Sequence, residues 1–174
     1  MNTDNCQIAG ETIDYGPCAF MDIYHPDQVF SSIDRTGRYA YSNQPNIIVW
    51  NMAQFATALI PLMPDAEAAI DRFTQIIHAM PDLINTYWLR EFGAKIGLKT
   101  PQPEDFDLIS ALLTLMAEGQ ADFTNTFHAL ANGKPENEFT DPHPFEDWRQ
   151  KWQMRLKDEA DPHLLMQSKN PALI

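Results

Sequence analysis

Asn43-Gln44-Pro45-Asn46-Ile47-Ile48-Val49-Trp50-Asn51-Met52-Ala53-Gln54-Phe55-Ala56-Thr57-Ala58-Leu59 is where this chain turns from irregular to helical. Pro45 sets the φ of a first turn, where its missing N–H is no loss. Ile47, Ile48, Trp50, Met52, Phe55, Ala56 and Leu59 then recur at helical spacing, until Pro61 and Pro64 stop the run. Downstream, Asp65 can cap a second helix carrying Ala69, Ile70, Phe73, Ile76, Ile77 and Met80. Leu83, Ile84, Tyr87, Trp88, Phe92 and Ile96 suggest a third, closed by Gly97. After Pro101 and Pro103 a fourth carries Phe106, Ile109, Leu112, Leu113 and Met116. Shorter helices are expected over 122–130 and 145–157, joined by a polar connection over 132–144. Four tryptophans and ten phenylalanines can anchor a core.

Upstream of Asn43 the pattern has no sustained period. Residues 6–9 and 11–13 flank Gly10 as a short β-hairpin would, and 15–44 read as ordered loop. The fold class is therefore mainly α, with a short β-hairpin near the N-terminus.

Composition narrows the function. The chain has 174 residues, 44% of them hydrophobic and 21% charged, which suits one globular domain. Its net charge of −12, spread along the chain, repels phosphate backbones and argues against nucleic-acid binding. The first residues lack the basic and apolar regions of a signal peptide, and no apolar run has the length of a membrane span. Cys6 and Cys18 fit free thiols in a reducing compartment, so the chain reads as cytoplasmic.

The segment richest in possible chemistry is Asn2-Thr3-Asp4-Asn5, followed by Ile13-Asp14-Tyr15-Gly16-Pro17. It places hard oxygen donors on two loops. An Asn and an Asp are a sufficient protein share for Mg²⁺, which takes its other oxygens from phosphate and water. Adjacent residues of an extended loop point opposite ways, so Asp4 can face an acceptor hydroxyl while Asn5 faces the metal. By composition alone, a structural turn accounts for the same residues, since Asp, Asn, Gly and Pro are the usual turn formers. The five histidines are scattered without ligand spacing. Arg35 and Arg38 are within range of a phosphate or carboxylate, with structural pairing the favoured reading. Asp122 reads as a helix cap.

Together, these segments resemble the active-site signature of the selenoprotein O family of protein adenylyltransferases. The resemblance extends through Gly37-Arg38-Tyr39, Asn43-Gln44-Pro45, Trp50-Asn51, Asp122-Phe123-Thr124 with Thr126-Phe127, and Met166-Gln167-Ser168 with Asn170-Pro171-Ala172-Leu173. Asp14-Tyr15-Gly16 is similar to the Asp-Phe-Gly motif with which protein kinases hold Mg²⁺. The resemblance implies a kinase-like fold that transfers AMP, with ATP flipped, to Ser, Thr or Tyr hydroxyls of proteins. Asp4 would then be the proton acceptor, Asn5 and Asp14 would be Mg²⁺ (or Mn²⁺) ligands, and Asp14 would also lie near the ATP phosphates. The Gly-rich loop, the phosphate-binding Lys and its Glu partner are expected before Met1, and a tail with a redox-active Cys or selenocysteine after the last residues. The chain is thus expected to be a single partial domain over 1–174: catalytic and metal-binding loops in 1–44 and the helical C-lobe in 45–174. Alone, it is expected to be a poor enzyme. Kinase-like phosphoryl transfer and a non-catalytic helical interaction module are the competing functions.

Overall fold

In the computed structural model, residues 6, 7, 10 and 20–171 are described. Among them, six α-helices carry the architecture: α1 Gln44–Leu59, α2 Ala66–Lys95, α3 Asp105–Glu118, α4 Phe123–Asn132, α5 His143–Leu156 and α6 Pro162–Lys169. Short 3-10 turns lie at Tyr41–Asn43, Ile60–Leu62 and Pro135–Glu138. Among the described residues there is no sheet. The extended pairing consists of one isolated antiparallel bridge, Ile23 with Asp122. The β-hairpin expected around Gly10 is not borne out, and most of the residues that would form it, 8–9 and 11–13, lie outside those described.

The helix signals act where the sequence places them. Pro45 sits in the first turn of α1, and Ile47 and Asn51, one turn apart, form its buried face. Asp65 caps α2 by accepting the backbone N–H of Ala68 at 3.0 Å. One expectation fails. The second and third helices are a single helix, α2, which runs through Pro81. Proline removes one intrahelical bond and crowds the carbonyl four residues back, but it ends a helix only where nothing continues beyond it. Here Ile70, Phe73, Ile77, Met80, Ile84 and Tyr87 stay in phase at steps of three and four on both sides. Pro81 lies off that stripe and is exposed, so the carbonyl it frees can face water.

The contacts divide the chain into two compact units. The first holds residues 1–19 and 26–85, hence α1 and the first part of α2. Its described loop, 26–40, is tied to the turn before α1: Tyr41 N–H donates to Gln28 O at 3.1 Å and Ser42 N–H to Pro26 O at 2.8 Å.

The second unit holds residues 20–25 and 86–174. Within it, α3 packs on α5 and α4 on α6. Ile96, Leu98, Ile109, Leu112, Met116, Phe127, Phe145 and Met166 are essentially sealed from solvent. An aromatic row runs Phe139, Phe145, Trp148, Trp152 with centroid spacings of 4.6, 5.4 and 5.4 Å. Each fully buried aromatic contributes about 4–6 kcal/mol before entropy is subtracted. Both indoles of α5 also find acceptors: Trp148 Nε1 donates to Leu108 O and Trp152 Nε1 to Ile96 O, each at 2.8 Å.

The ends of α2 and α3 are built alike. Leu98 N–H reaches back to Gly93 O and Gly97 N–H to Ala94 O, with Gly97 at φ +90°. Ala121 N–H reaches Met116 O and Gln120 N–H reaches Ala117 O, with Gln120 at φ 52°. Both are Schellman closures; the second has no glycine at its left-handed position.

Candidate functional site

Asp4, Asn5 and Asp14, the residues singled out for catalysis and metal binding, lie outside the described residues, as does Cys18. Cys6 is a half-buried free thiol. Among the described residues, no cluster of three His, Cys, Asp or Glu side chains could hold a metal ion. The histidines accordingly form no metal site there; His128, for one, pairs through Nδ1 with the carbonyl of Asn170 at 3.3 Å.

The described signature residues form two constructions, one in each unit. In the first unit the organiser is Asp34. Its carboxylate accepts backbone N–H groups from Tyr39 at 2.8 Å, Arg38 at 3.0 Å and Thr36 at 3.3 Å. These bonds, led by that from Tyr39, hold its pKa below the usual carboxylate range. Gly37 stands inside the turn at φ +72°, where a side chain would be strained. From the other side, Asn43 Nδ2 donates to Arg38 O at 2.7 Å and Gln44 Nε2 to Tyr39 O at 3.4 Å. The backbone of Arg38 and Tyr39 is therefore clamped both by the acid before it and by the amides opening α1.

That clamp fixes where the Arg38 side chain starts. Its guanidinium lies 4.6 Å from the Trp50 ring centroid and 5.6 Å from that of Tyr39. The structural pairing expected for Arg38 is not with a carboxylate: among the described residues its guanidinium makes no ion pair and donates no hydrogen bond. The cation lies over aromatic rings instead. Trp50 remains 43% exposed, so it is no core anchor in this chain, unlike Trp148 and Trp152. Beside it, Asn51 is 1% exposed, and neither of its amide atoms has a partner among the described residues.

In the second unit, Asp122 caps α4, accepting Asn125 N–H at 2.8 Å. Its neighbours hold the segment 20–25: Tyr24 N–H donates to Ala121 O at 2.9 Å and Phe123 N–H to Asp22 O at 2.7 Å. Phe123 and Phe127 stand edge to face at 5.1 Å, with Tyr24 and Phe92 against them. Lys95 at the end of α2 places Nζ 5.1 Å from the Phe127 centroid and 3.2 Å from Asn170 Oδ1. Burial, followed by the charge of Lys169, pushes the Lys95 pKa down. Asn170 Nδ2 returns a hydrogen bond to Lys95 O at 2.7 Å, and Gln167 donates to Asn132 at 2.8 Å. The signature residues of α4 and α6 thus serve packing. Sequence reasoning had no signal for the Lys95 contact, because 75 residues separate it from Asn170.

Comparison with known proteins bears out the family resemblance. Residues 1–171 match the family model described as protein adenylyltransferase SelO. A protein nucleotidyltransferase YdiU from a Ruegeria species (strain TM1040) is 60% identical over all 174 residues, which span 37% of that relative. The corresponding protein of Ruegeria pomeroyi is 58% identical, again over the whole chain and 37% of the relative. That of Clostridium botulinum is 47% identical over 180 aligned positions and 37% of its length. The chain therefore spans little more than a third of the curated relatives it matches.

Proposed function

Because this chain belongs to the SelO family of protein adenylyltransferases, we propose that it supplies the catalytic loops and helical C-lobe of a kinase-like enzyme that moves AMP from ATP to protein hydroxyls. The observation that carries the proposal is the family match over residues 1–171, which includes Asn2-Thr3-Asp4-Asn5 and Asp14-Tyr15-Gly16. The acceptors are Ser, Thr and Tyr side chains of proteins, and the compartment is the cytoplasm. No helix among the described residues is long and apolar enough to cross a membrane.

The donor set suits a hard divalent cation: Asn5 offers a neutral oxygen and Asp14 an anionic one, with phosphate and water completing the shell. Mg²⁺ or Mn²⁺, when bound, neutralises charge on the ATP phosphates. Asp14 also helps position those phosphates. Asp4 takes the proton of the acceptor hydroxyl as its oxygen bonds to the α-phosphorus. The bond from that phosphorus to the bridging oxygen breaks and pyrophosphate leaves. The rest of the enzyme must supply the phosphate clamp, so the isolated chain is expected to transfer little AMP.

The test grafts this segment in place of its counterpart in the 60%-identical Ruegeria relative and supplies ATP labelled at either the α or the γ phosphate. Protein labelled only from the α position supports AMP transfer. Label only from the γ position would replace it with kinase-like phosphoryl transfer, and no label from either would leave a helical interaction module.

A further inference from the structure

The Arg38 guanidinium is held by its surroundings yet carries five N–H donors that no described residue accepts. Its backbone is fixed by Asp34, Asn43 and Gln44, and its guanidinium carbon lies over Trp50, 4.6 Å from the ring centroid. The absence of an ion pair is notable given the composition around it. Residues 26–85 contain six carboxylates (Asp27, Asp34, Asp65, Glu67, Asp71, Asp82) and three arginines (Arg35, Arg38, Arg72). The nearest of those carboxylates along the chain, Asp34, is occupied by backbone N–H groups. An arginine stacked on an aromatic ring has lost much of its rotamer freedom before a ligand arrives, and its planar fork matches an oxyanion.

We propose that Arg38, mounted on Trp50, recognises an acidic side chain of the protein substrate. The inference rests on the reading that proteins are the acceptors. Two observations favour a carboxylate over the triphosphate of ATP. A triphosphate with several negative charges needs several cations or a loop of backbone donors, whereas residues 26–85 are acidic overall. The same unit also leaves apolar side chains open: Phe30 is 50%, Ile33 86% and Trp50 43% exposed. A guanidinium fork held on an aromatic ring, in a unit that also exposes apolar side chains, suits one carboxylate in an otherwise uncharged peptide.

The experiment measures binding to the purified 174-residue chain by NMR of the Arg38 Nε–H and by tryptophan fluorescence. The probes are a Ser-containing peptide with Glu next to the serine, the same peptide with Gln there, and Mg·ATP. The Glu peptide should bind at least about tenfold more tightly than the Gln peptide, and added salt should erode the preference. It should shift the Arg38 signal. Arg38→Gln should abolish the preference, and Arg38→Lys, which keeps the charge without the fork, should restore part of it. Thermal melts of both variants within a few degrees of the parent would certify the fold. Equal binding of the two peptides, a preference surviving Arg38→Gln, or an Arg38 signal that moves only with Mg·ATP would each overturn the proposal. Because no chemistry is involved, a peptide preference without AMP transfer in the labelling assay would sink the enzymatic reading and leave the recognition site standing.

Discussion

Lys95 and Asn170 hold each other reciprocally: the Lys95 amine lies 3.2 Å from Asn170 Oδ1, and Asn170 Nδ2 donates to the Lys95 carbonyl at 2.7 Å. The pair joins the end of α2 to the residue that follows α6, with Phe127 beneath the amine. Asn170 is 3% exposed, so truncating it leaves buried groups without partners. Asn170→Ala should destabilise the chain by about 1–3 kcal/mol in urea unfolding. The pH dependence has a defined sign. The folded-state pKa of Lys95 is depressed, so the unfolded chain binds the proton more readily. Stability from this group should rise as pH climbs through the lowered pKa toward the ordinary lysine value. Lys95→Met should flatten that rise.

Arg155 closes on Asp105 through two hydrogen bonds of 2.9 and 3.1 Å, and its third contact is Glu159 at 3.1 Å. The Asp105 carboxylate is nearly buried and also accepts Gln102 N–H at 2.7 Å. Asp105→Ala should cost about 1–3 kcal/mol, because it takes two hydrogen bonds from a part-buried guanidinium that keeps only Glu159 and leaves the Gln102 N–H without its acceptor. Replacing Arg155 and Asp105 together by apolar residues should cost less than the single change. Denaturant midpoints for the three variants test this ordering.

The two Schellman closures should respond in opposite directions. Gln120 is exposed and holds φ 52°, a conformation that costs a residue with a Cβ about 1 kcal/mol or more. Gln120→Gly should therefore raise the melting temperature. At Gly97, with φ +90°, an added Cβ would meet Pro162 Cβ at 3.0 Å and Leu156 Cδ2 at 3.2 Å. Gly97→Ala should lower the melting temperature, through backbone strain and crowding together.

Acid should loosen the turn that carries Arg38. Since the folded-state pKa of Asp34 is lowered, the stability it contributes is present above the ordinary carboxylate value and is lost as pH falls through the lowered one. Trp50 fluorescence should report the loss, because Arg38 would leave its ring as the clamp opens. Asp34→Asn should produce the change near neutral pH and remove its acid dependence.

In the grafted enzyme, Asp14→Ala should weaken metal-dependent ATP binding. Asp4→Asn should spare that binding and slow AMP incorporation at saturating ATP about 10²–10⁴-fold, the usual contribution of a general base. Asn5→Ala should weaken metal-dependent ATP binding as Asp14→Ala does. If Asp4→Asn instead abolished metal-dependent ATP binding while Asp14→Ala left it intact, the assigned roles would be reversed.

The sequence by itself determined the helices and several of their ends, because those depend on neighbours within a turn. Pro45 opens α1, Asp65 caps α2, Asp122 caps α4 and Gly97 closes α2 through contacts reaching at most five residues. It also carried the family signature, which is linear. Tertiary structure decided what local rules leave open. The sequence suggests separate helices up to Met80 and from Leu83, yet the apolar stripe keeps its phase across Pro81 and one helix results. Nothing local tells whether Arg38 meets a carboxylate or a ring; its place over Trp50 depends on the clamp of Asp34, Asn43 and Gln44. Lys95 and Asn170 meet across 75 residues because α4 packs against α6 and Phe127 is buried, and the free energy of that packing belongs to no single segment.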